Sequence, residues 1–244
     1  MKIWPLTLHA TRLTMYGLVN AYLLREDDGL TLIDTNLGSG AATILKQAAE
    51  MGAPIRRILL THAHYDHDAG LDKIVAGLGS APEIWMGARE TRLYEQTQRG
   101  VKTKKLALEP GEPQTPVKGR YLAQKTKVTN QCEDGDRIGS LRAVFTPGHT
   151  PGEMSFLDER DGTLYAGDAM VSVRHLRVTG DAPWYFALPN IATWHRITAL
   201  ESALRIATLN PELIACGHGA PVFENIKAKL ADALDRAGTA FAHN

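Results

Sequence analysis

The feature that most limits how this chain can fold is the segment His62-Ala63-His64-Tyr65-Asp66-His67, which comes one residue after the short, largely apolar run 55–60. Four of its six side chains are imidazoles or carboxylates, the usual ligands of zinc and related first-row ions. If the run before them is a strand, alternate residues His62 and His64 point the same way, while Asp66 and His67 lie past the bend and can address a second ion. The competing reading is a polar loop that caps a helix through Asp66 or Asp68. The density of donors favours metal.

Three more fragments have the same character. Gly148-His149-Thr150-Pro151-Gly152 holds a histidine in a turn bounded by glycine and proline, where a ligand is well preorganised. Leu164-Tyr165-Ala166-Gly167-Asp168 runs an apolar strand out onto a carboxylate, and Cys216-Gly217-His218-Gly219 sets a histidine between glycines. Singly, each is a solvated turn residue or a cap. Jointly they put metal-type residues at strand ends, where α/β proteins build their sites.

The remaining pattern is α/β. Residues 18–24 and 30–33 read as a hairpin around the turn 26–29. Ile44, Leu45, Ala48 and Met51 recur at helical spacing after Gly38 and Gly40, and Gly52 and Pro54 end that helix. A helix at 71–78, a strand at 84–86 and a helix from Ala88 follow. Short strands are expected at 141–145, 154–157, 164–166 and 171–178, then a long helix at 191–209, a strand at 213–216 and a closing helix from about Asn225. The stretch 96–130, rich in Lys and Thr and carrying Pro110, Pro113 and Pro116, has little periodicity. Metal-type residues flank it on both sides, so it reads as an insertion or long loop (a lid, a dimer contact or a flexible loop) within one domain spanning 1–244.

Charge narrows the partners. Lys+Arg and Asp+Glu are both 27, so the chain lacks the basic excess of a phosphate-gripping protein, and no nucleic-acid partner is expected. With two cysteines, Cys132 and Cys216, no signal-peptide pattern and no run approaching the ~20 apolar residues of a membrane span, the expectation is a cytoplasmic protein without a membrane partner, acting on a small molecule. Homodimerisation stays open.

In their order along the chain, His62-x-His64-x-Asp66-His67, His149, Asp168 and His218 resemble the metallo-β-lactamase superfamily, over nearly the whole sequence. Asp34, in Leu32-Ile33-Asp34-Thr35, matches that family's early strand-end aspartate, which orients the metal loops without ligating. The resemblance implies a four-layer αββα sandwich with the site at one edge of two sheets. It implies one ion on His62, His64 and His149, a second on Asp66, His67 and His218, and Asp168 bridging both. The cofactors would be two divalent ions, Zn2+ first, with Mn, Fe or Co as alternatives. Two ions about 3.5–4 Å apart can share a hydroxide that attacks a carbonyl or phosphorus, with Asp66 and Asp168 as the catalytic carboxylates. A bridging aspartate separates the chain from the β-lactam-hydrolysing members and favours the branch holding lactonases and glyoxalase-II-like thioesterases, although the tyrosine that such lactonases carry shortly after it is missing from Ala169-Met170-Val171-Ser172-Val173.

The function expected is therefore hydrolysis of a small ester, lactone or thioester. The alternatives are a mononuclear iron sulfur dioxygenase of the same fold and a superfamily phosphodiesterase or nuclease. Trp184, Tyr185 and Phe186, with His175, are candidate walls of the substrate pocket. His9, His195 and His243 have no assigned chemistry.

Overall fold

The computed structural model describes residues 1–242, so His243 lies outside the described residues. In chain order the strands and helices are β1 (Lys2–Pro5), β2 (Ala10–Met15), β3 (Val19–Glu26), β4 (Gly29–Ile33), α1 (Ala41–Glu50), β5 (Ile55–Leu60), α2 (Tyr65–Asp68), α3 (Leu71–Gly77), β6 (Glu83–Gly87) and α4 (Ala88–Gln98). Then come β7 (Asn130–Cys132), β8 (Arg137–Ile138), β9 (Leu141–Phe145), β10 (Met154–Asp158), β11 (Thr163–Gly167), β12 (Met170–Val171), β13 (Arg177–Val178), α5 (Leu188–Ala192), α6 (Arg196–Thr208), β14 (Leu213–Cys216) and α7 (Ile226–Ala242).

Strand alternation explains the layering. In β3, Ala21 and Leu23 face one core while Tyr22 and Leu24 face another; in β14, Ile214 and Cys216 part from Leu213 and Ala215 in the same way. A strand with apolar residues on both faces must be covered on both. β1 to β7 form one sheet in sequence order, antiparallel through β4 and parallel from β4 to β7. The second sheet runs β14-β11-β10-β9-β8. Tyr22, Leu24, Leu59, Phe156, Tyr165 and Ala215 fill the space between the sheets. Ile44 of α1, Ile74 of α3 and Leu93 of α4 cover the first sheet outside, and Ile206 of α6 with Leu230 of α7 cover the second. Helix, sheet, sheet, helix is the four-layer arrangement expected. Each such fully buried aliphatic or aromatic side chain contributes roughly 1.5–3 kcal/mol relative to exposure.

Two elements differ from expectation for one reason. Residues 191–209 are not one helix: α5 ends at Ala192 and α6 begins at Arg196, with His195 as its N-cap accepting from Thr198 N. At the break, Trp194 N donates to His149 O and His195 N to Gly148 O, both at 2.9 Å, so these amides hold the His149 turn in place of helical carbonyls. Residues 171–178 are likewise not one strand. Ser172 N donates to His218 O at 3.0 Å, and Arg174 adopts a left-handed φ of 67° that no strand continues through, so β12 and β13 pair across the turn.

The segment 99–129 between α4 and β7 is irregular apart from a single 3-10 turn at Thr103–Lys105, but it is tied down. Its own Leu106, Val117 and Tyr121 are buried in the core, Thr115 O accepts from Trp194 Nε1, and Thr126 bonds to Asp72 of α3. Among the described residues, no helix is long and apolar enough to cross a membrane.

Candidate metal centre

β4 and β5 lie parallel, so both deliver their following residues to the same sheet edge. Asp34 leaves β4 with a left-handed φ of 55°, a conformation aspartate tolerates better than most residues. Its carboxylate accepts from Thr61 N at 2.9 Å and from Thr61 Oγ1, and its Oδ2 lies 2.7 Å from His67 Nδ1. One buried carboxylate thus fixes both the strand end before His62 and the ring of His67. Thr35 adds to this, with N and Oγ1 donating to His67 O at 2.7 and 2.9 Å.

Each of the other rings on this side is held by its far nitrogen. His62 Nδ1 lies 3.0 Å from Thr61 Oγ1, His64 Nε2 donates to Lys118 O at 3.0 Å, and His149 Nδ1 lies 3.0 Å from Thr179 Oγ1. Such partners fix tautomer and ring orientation in metal sites. They leave His62 Nε2, His64 Nδ1 and His149 Nε2 facing inward, with the last two 3.0 Å apart.

Asp168 lies between this triad and a second one. Its Oδ2 is 3.4 Å from His149 Nε2 and 3.1 Å from His218 Nε2, and its Oδ1 is 3.4 Å from His67 Nε2. Asp66 Oδ2 is 3.2 Å from His218 Nε2. Ligand atoms of three overlapping groups gather within 4.8 Å: His62, His64 and His149; His62, His67 and Asp168; Asp66, His67 and His218. All seven expected ligands are therefore brought together.

The chemistry of the donors fits divalent metal. His62 Nε2 is buried without a hydrogen-bond partner, and His67 Nε2 and Asp168 Oδ1 have only each other, in an ion-pair contact at 3.4 Å, although the opposite nitrogens of both rings are engaged. Buried polar atoms of this kind are costly unless a ligand satisfies them. Backbone packing is equally exacting. A Cβ on Gly217 would collide with Asp168 Oδ1 and His67 Cε1, and one on Gly119 with the His64 ring.

The two triads differ electrostatically. Burial pushes His62 and His64 below the usual imidazole range and His149 down to about 3, so this side presents neutral rings. Burial acts on His67 and His218 in the same direction, but carboxylates outweigh it: Asp168 and Asp34 raise His67, and Asp168 and Asp66 raise His218 to about 9. In return, and against the effect of burial, Asp168 and Asp66 are held below the ordinary carboxylate range.

Sequence reasoning missed two buried acids. Glu90 accepts from Ala63 N, Tyr121 Oη, Thr150 Oγ1 and Gly152 N at 2.9 to 3.0 Å, which joins the His64 and His149 loops to α4. Its signal was a glutamate in helical step with buried Leu93, Tyr94 and Thr97. Glu153 Oε1 accepts from Asp168 N at 2.6 Å and lies 3.5 Å from His62 Nδ1; nothing in its sequence context marks it.

A cavity of about 600 Å³ opens over the centre. Its floor is His64, Asp66, His149, Asp168 and His218; Leu18, Val19 and Leu37 form one wall and Phe186, Leu188, Pro189, Ile191 and Ala192 the other. Of the expected aromatic trio only Phe186 lines it, with its ring 5.4 Å from that of His218. The three residues form a single 3-10 turn, which rotates successive side chains by about 120°, so one can face in while Trp184 is 89% exposed and Tyr185 packs on Arg174. His175 also falls outside the cavity, in a separate surface depression with Arg174 and Phe223.

Comparison with known proteins agrees with this geometry. The family model described as Metallo-beta-lactamase superfamily matches residues 15–218. The chain is 40% identical over 202 residues to the uncharacterized protein YobT of Bacillus subtilis (strain 168), covering 82% of this chain and 83% of that one. It is 26% identical to the probable metallo-hydrolase YflN of the same organism, covering 90% and 88%. Among solved structures, a metallo-beta-lactamase from Cronobacter sakazakii carrying a mutated HARLDQ motif superposes with a TM-score of 0.66 at 22% identity, over 100% of this chain and 96% of that one. The di-iron-bound form of TTHA1623 does so with 0.61 at 24%, over 90% and 97%.

Proposed function

The chain belongs to the metallo-beta-lactamase superfamily, and from that premise we propose that it is a metal-dependent hydrolase of a small ester, lactone or thioester, akin to the lactonase and glyoxalase-II-like branch. The observation that carries the reading is the position of seven ligand side chains at the floor of a cavity whose walls are almost wholly apolar. His62, His64 and His149 would hold one divalent ion, Asp66, His67 and His218 a second, and Asp168 both. Two such ions supply Lewis acidity and bring the pKa of a coordinated water towards neutrality.

The protein's own residues do the rest. Phe186, Leu188 and Ile191 bind the apolar part of the substrate and exclude water, so the scissile carbonyl rests on the floor beside Asp168. Asp66 is the ligand-set carboxylate with the more exposed side chain, at 35%, and it would orient the attacking water and help move its proton to the leaving oxygen or sulfur. No serine or cysteine nucleophile is required. Zinc is the expected native metal; the di-iron form of TTHA1623 makes iron the first alternative to test.

Metal analysis joined to a substrate panel tests this. Two ions per chain and turnover of aryl esters, lactones or a thioester support it. Efficient cleavage of a phosphodiester alone, or a single tightly held iron with oxygen consumption on a sulfur substrate, overturns it.

A further inference from the structure

Outside the metal-ligand set, the cavity is lined by one charged side chain, Arg120. Its backbone is fixed to the centre itself. Arg120 O accepts from Tyr65 N at 2.8 Å, the preceding Lys118 O accepts from His64 Nε2, and Tyr121 pairs with His64 through an isolated bridge. Gly119 takes a left-handed φ of 80° and lies flat against the His64 ring, where any side chain would collide. The root of the Arg120 side chain therefore cannot drift relative to the ligands.

The guanidinium is positioned as well. Its carbon lies 4.5 Å from the centroid of the Tyr65 ring, and Tyr65 is itself part of the cavity wall. Stacking occupies the flat face of a guanidinium and leaves its N–H edge free to grip a planar anion with two bonds. Among the described residues no carboxylate pairs with it, although Arg57, Arg142, Arg160, Arg177 and Arg205 each have one. Arg120 is exposed at the cavity's side, stacked on Tyr65 and without a carboxylate partner among the described residues.

Resting on the hydrolase reading above, we infer that the substrate carries a carboxylate remote from the bond that is cut, and that Arg120 is the residue that selects it. An apolar cavity with a single guanidinium at its side complements an amphipathic monoanion. A phosphate dianion would call for more than one cation, and outside the metal-ligand set the lining offers one.

Two measurements decide this, one independent of turnover. The first compares phenyl hexanoate with monophenyl adipate, equal in chain length and differing in a terminal carboxylate. In Arg120→Met, the ratio of kcat/KM for the acidic ester to that for the neutral one is expected to fall about 10- to 100-fold, the usual worth of a charge-assisted hydrogen bond, and Arg120→Lys to recover part of it. The second is calorimetric binding of 4-phenylbutyrate and 4-phenylbutanamide to metal-depleted protein, where no ion can capture the carboxylate. The parent is expected to prefer the carboxylate and Arg120→Met to lose that preference. An unchanged ratio, equal or undetectable binding of both probes by the parent, or tighter binding of 4-phenylbutyl phosphate than of the carboxylate overturns the inference. If neither ester is hydrolysed while the calorimetric preference follows Arg120, the ester reading fails and the carboxylate site stands.

Discussion

The proposed metal cradle and the proposed substrate wall line one cavity and are built on opposite rules. In the cradle, four of the five rings have their outer nitrogen fixed by a named partner, and the five imidazoles are 0–5% exposed. The wall is a 3-10 turn and a five-residue helix whose Leu188 and Ile191 are each 69% exposed. Hydrogen bonds define angles, whereas apolar packing defines only area. The cradle is therefore expected to respond steeply to single atoms, and the wall gradually to surface removed.

The largest effect should follow Asp168→Ala, which takes away the one carboxylate that reaches ligands of both triads. Loss of more than about 100-fold in kcat/KM is expected, beyond the usual scale for a partner that only orients a ligand. Turnover within a few-fold of the parent, with activity abolished instead by His195→Ala or His175→Ala, would break the comparison. Asp34→Asn and Gly217→Ala remove no ligand, yet each should weaken metal affinity by about 10- to 100-fold in a chelator competition. The first withdraws charge from His67, and the second pushes a methyl group into His67 and Asp168. Unchanged affinity in both would show a cradle more forgiving than its hydrogen bonds suggest.

The pH dependence is smaller per step and separates the triads. His218 holds a proton up to about pH 9 in metal-free protein, and His67 is shifted the same way. An ion at Asp66, His67 and His218 must displace those protons, so its affinity should fall about tenfold per pH unit for each proton displaced as pH drops below about 9. The neutral His62, His64 and His149 side should show no such slope. For the metal-free fold the sign is the reverse. A raised histidine stabilises fully below its unfolded value near 6.5, and that contribution is lost as pH rises towards 9. Calorimetry in buffers of different ionisation enthalpy, with Tm of metal-free protein between pH 6 and 10, checks both; two ions bound with equal slopes would contradict the division.

The wall should give the smallest changes. Leu188→Ala is expected to raise KM for long acyl chains by about 4-fold for each methylene left without apolar cover, and to spare short ones. Trp184→Ala, whose ring faces solvent, should move neither by more than about twofold. Equal shifts at both chain lengths would remove Leu188 from the acyl path.

The same contrast governs what could be read in advance. β5, β9 and β14 are largely apolar runs that lead into a loop bearing a metal-type residue, and their limits are those the sequence implies. That these imidazoles and carboxylates gather is legible too, because such side chains at strand ends have few other uses. What stayed hidden depends on partners distant in sequence. Trp194 and His195 leave the helical path for the carbonyls of residues 148 and 149, and Glu90 serves loops 27 to 62 residues away. The edge strand β1 is exposed at all four residues, so no apolar alternation announces it. Of three neighbouring aromatics, no pattern says which one a single turn will aim inward.

Asn20, early in the chain, carries a consequence for how the protein comes into being. Its side chain donates to Cys216 O and Gly219 O, and its own amide to Gly217 O, so the turn bearing the seventh ligand is clasped by the third strand across nearly two hundred residues. A nascent chain can close the early sheet and display six of the seven proposed ligands well before residue 218 is made, but the proposed second metal position lacks a corner until residues 20 and 218 are brought together. Tight metal loading should then mark the end of folding rather than its start. A chain stalled before the last strand would carry most of the donors and still give up its metal to a chelator that the finished protein resists.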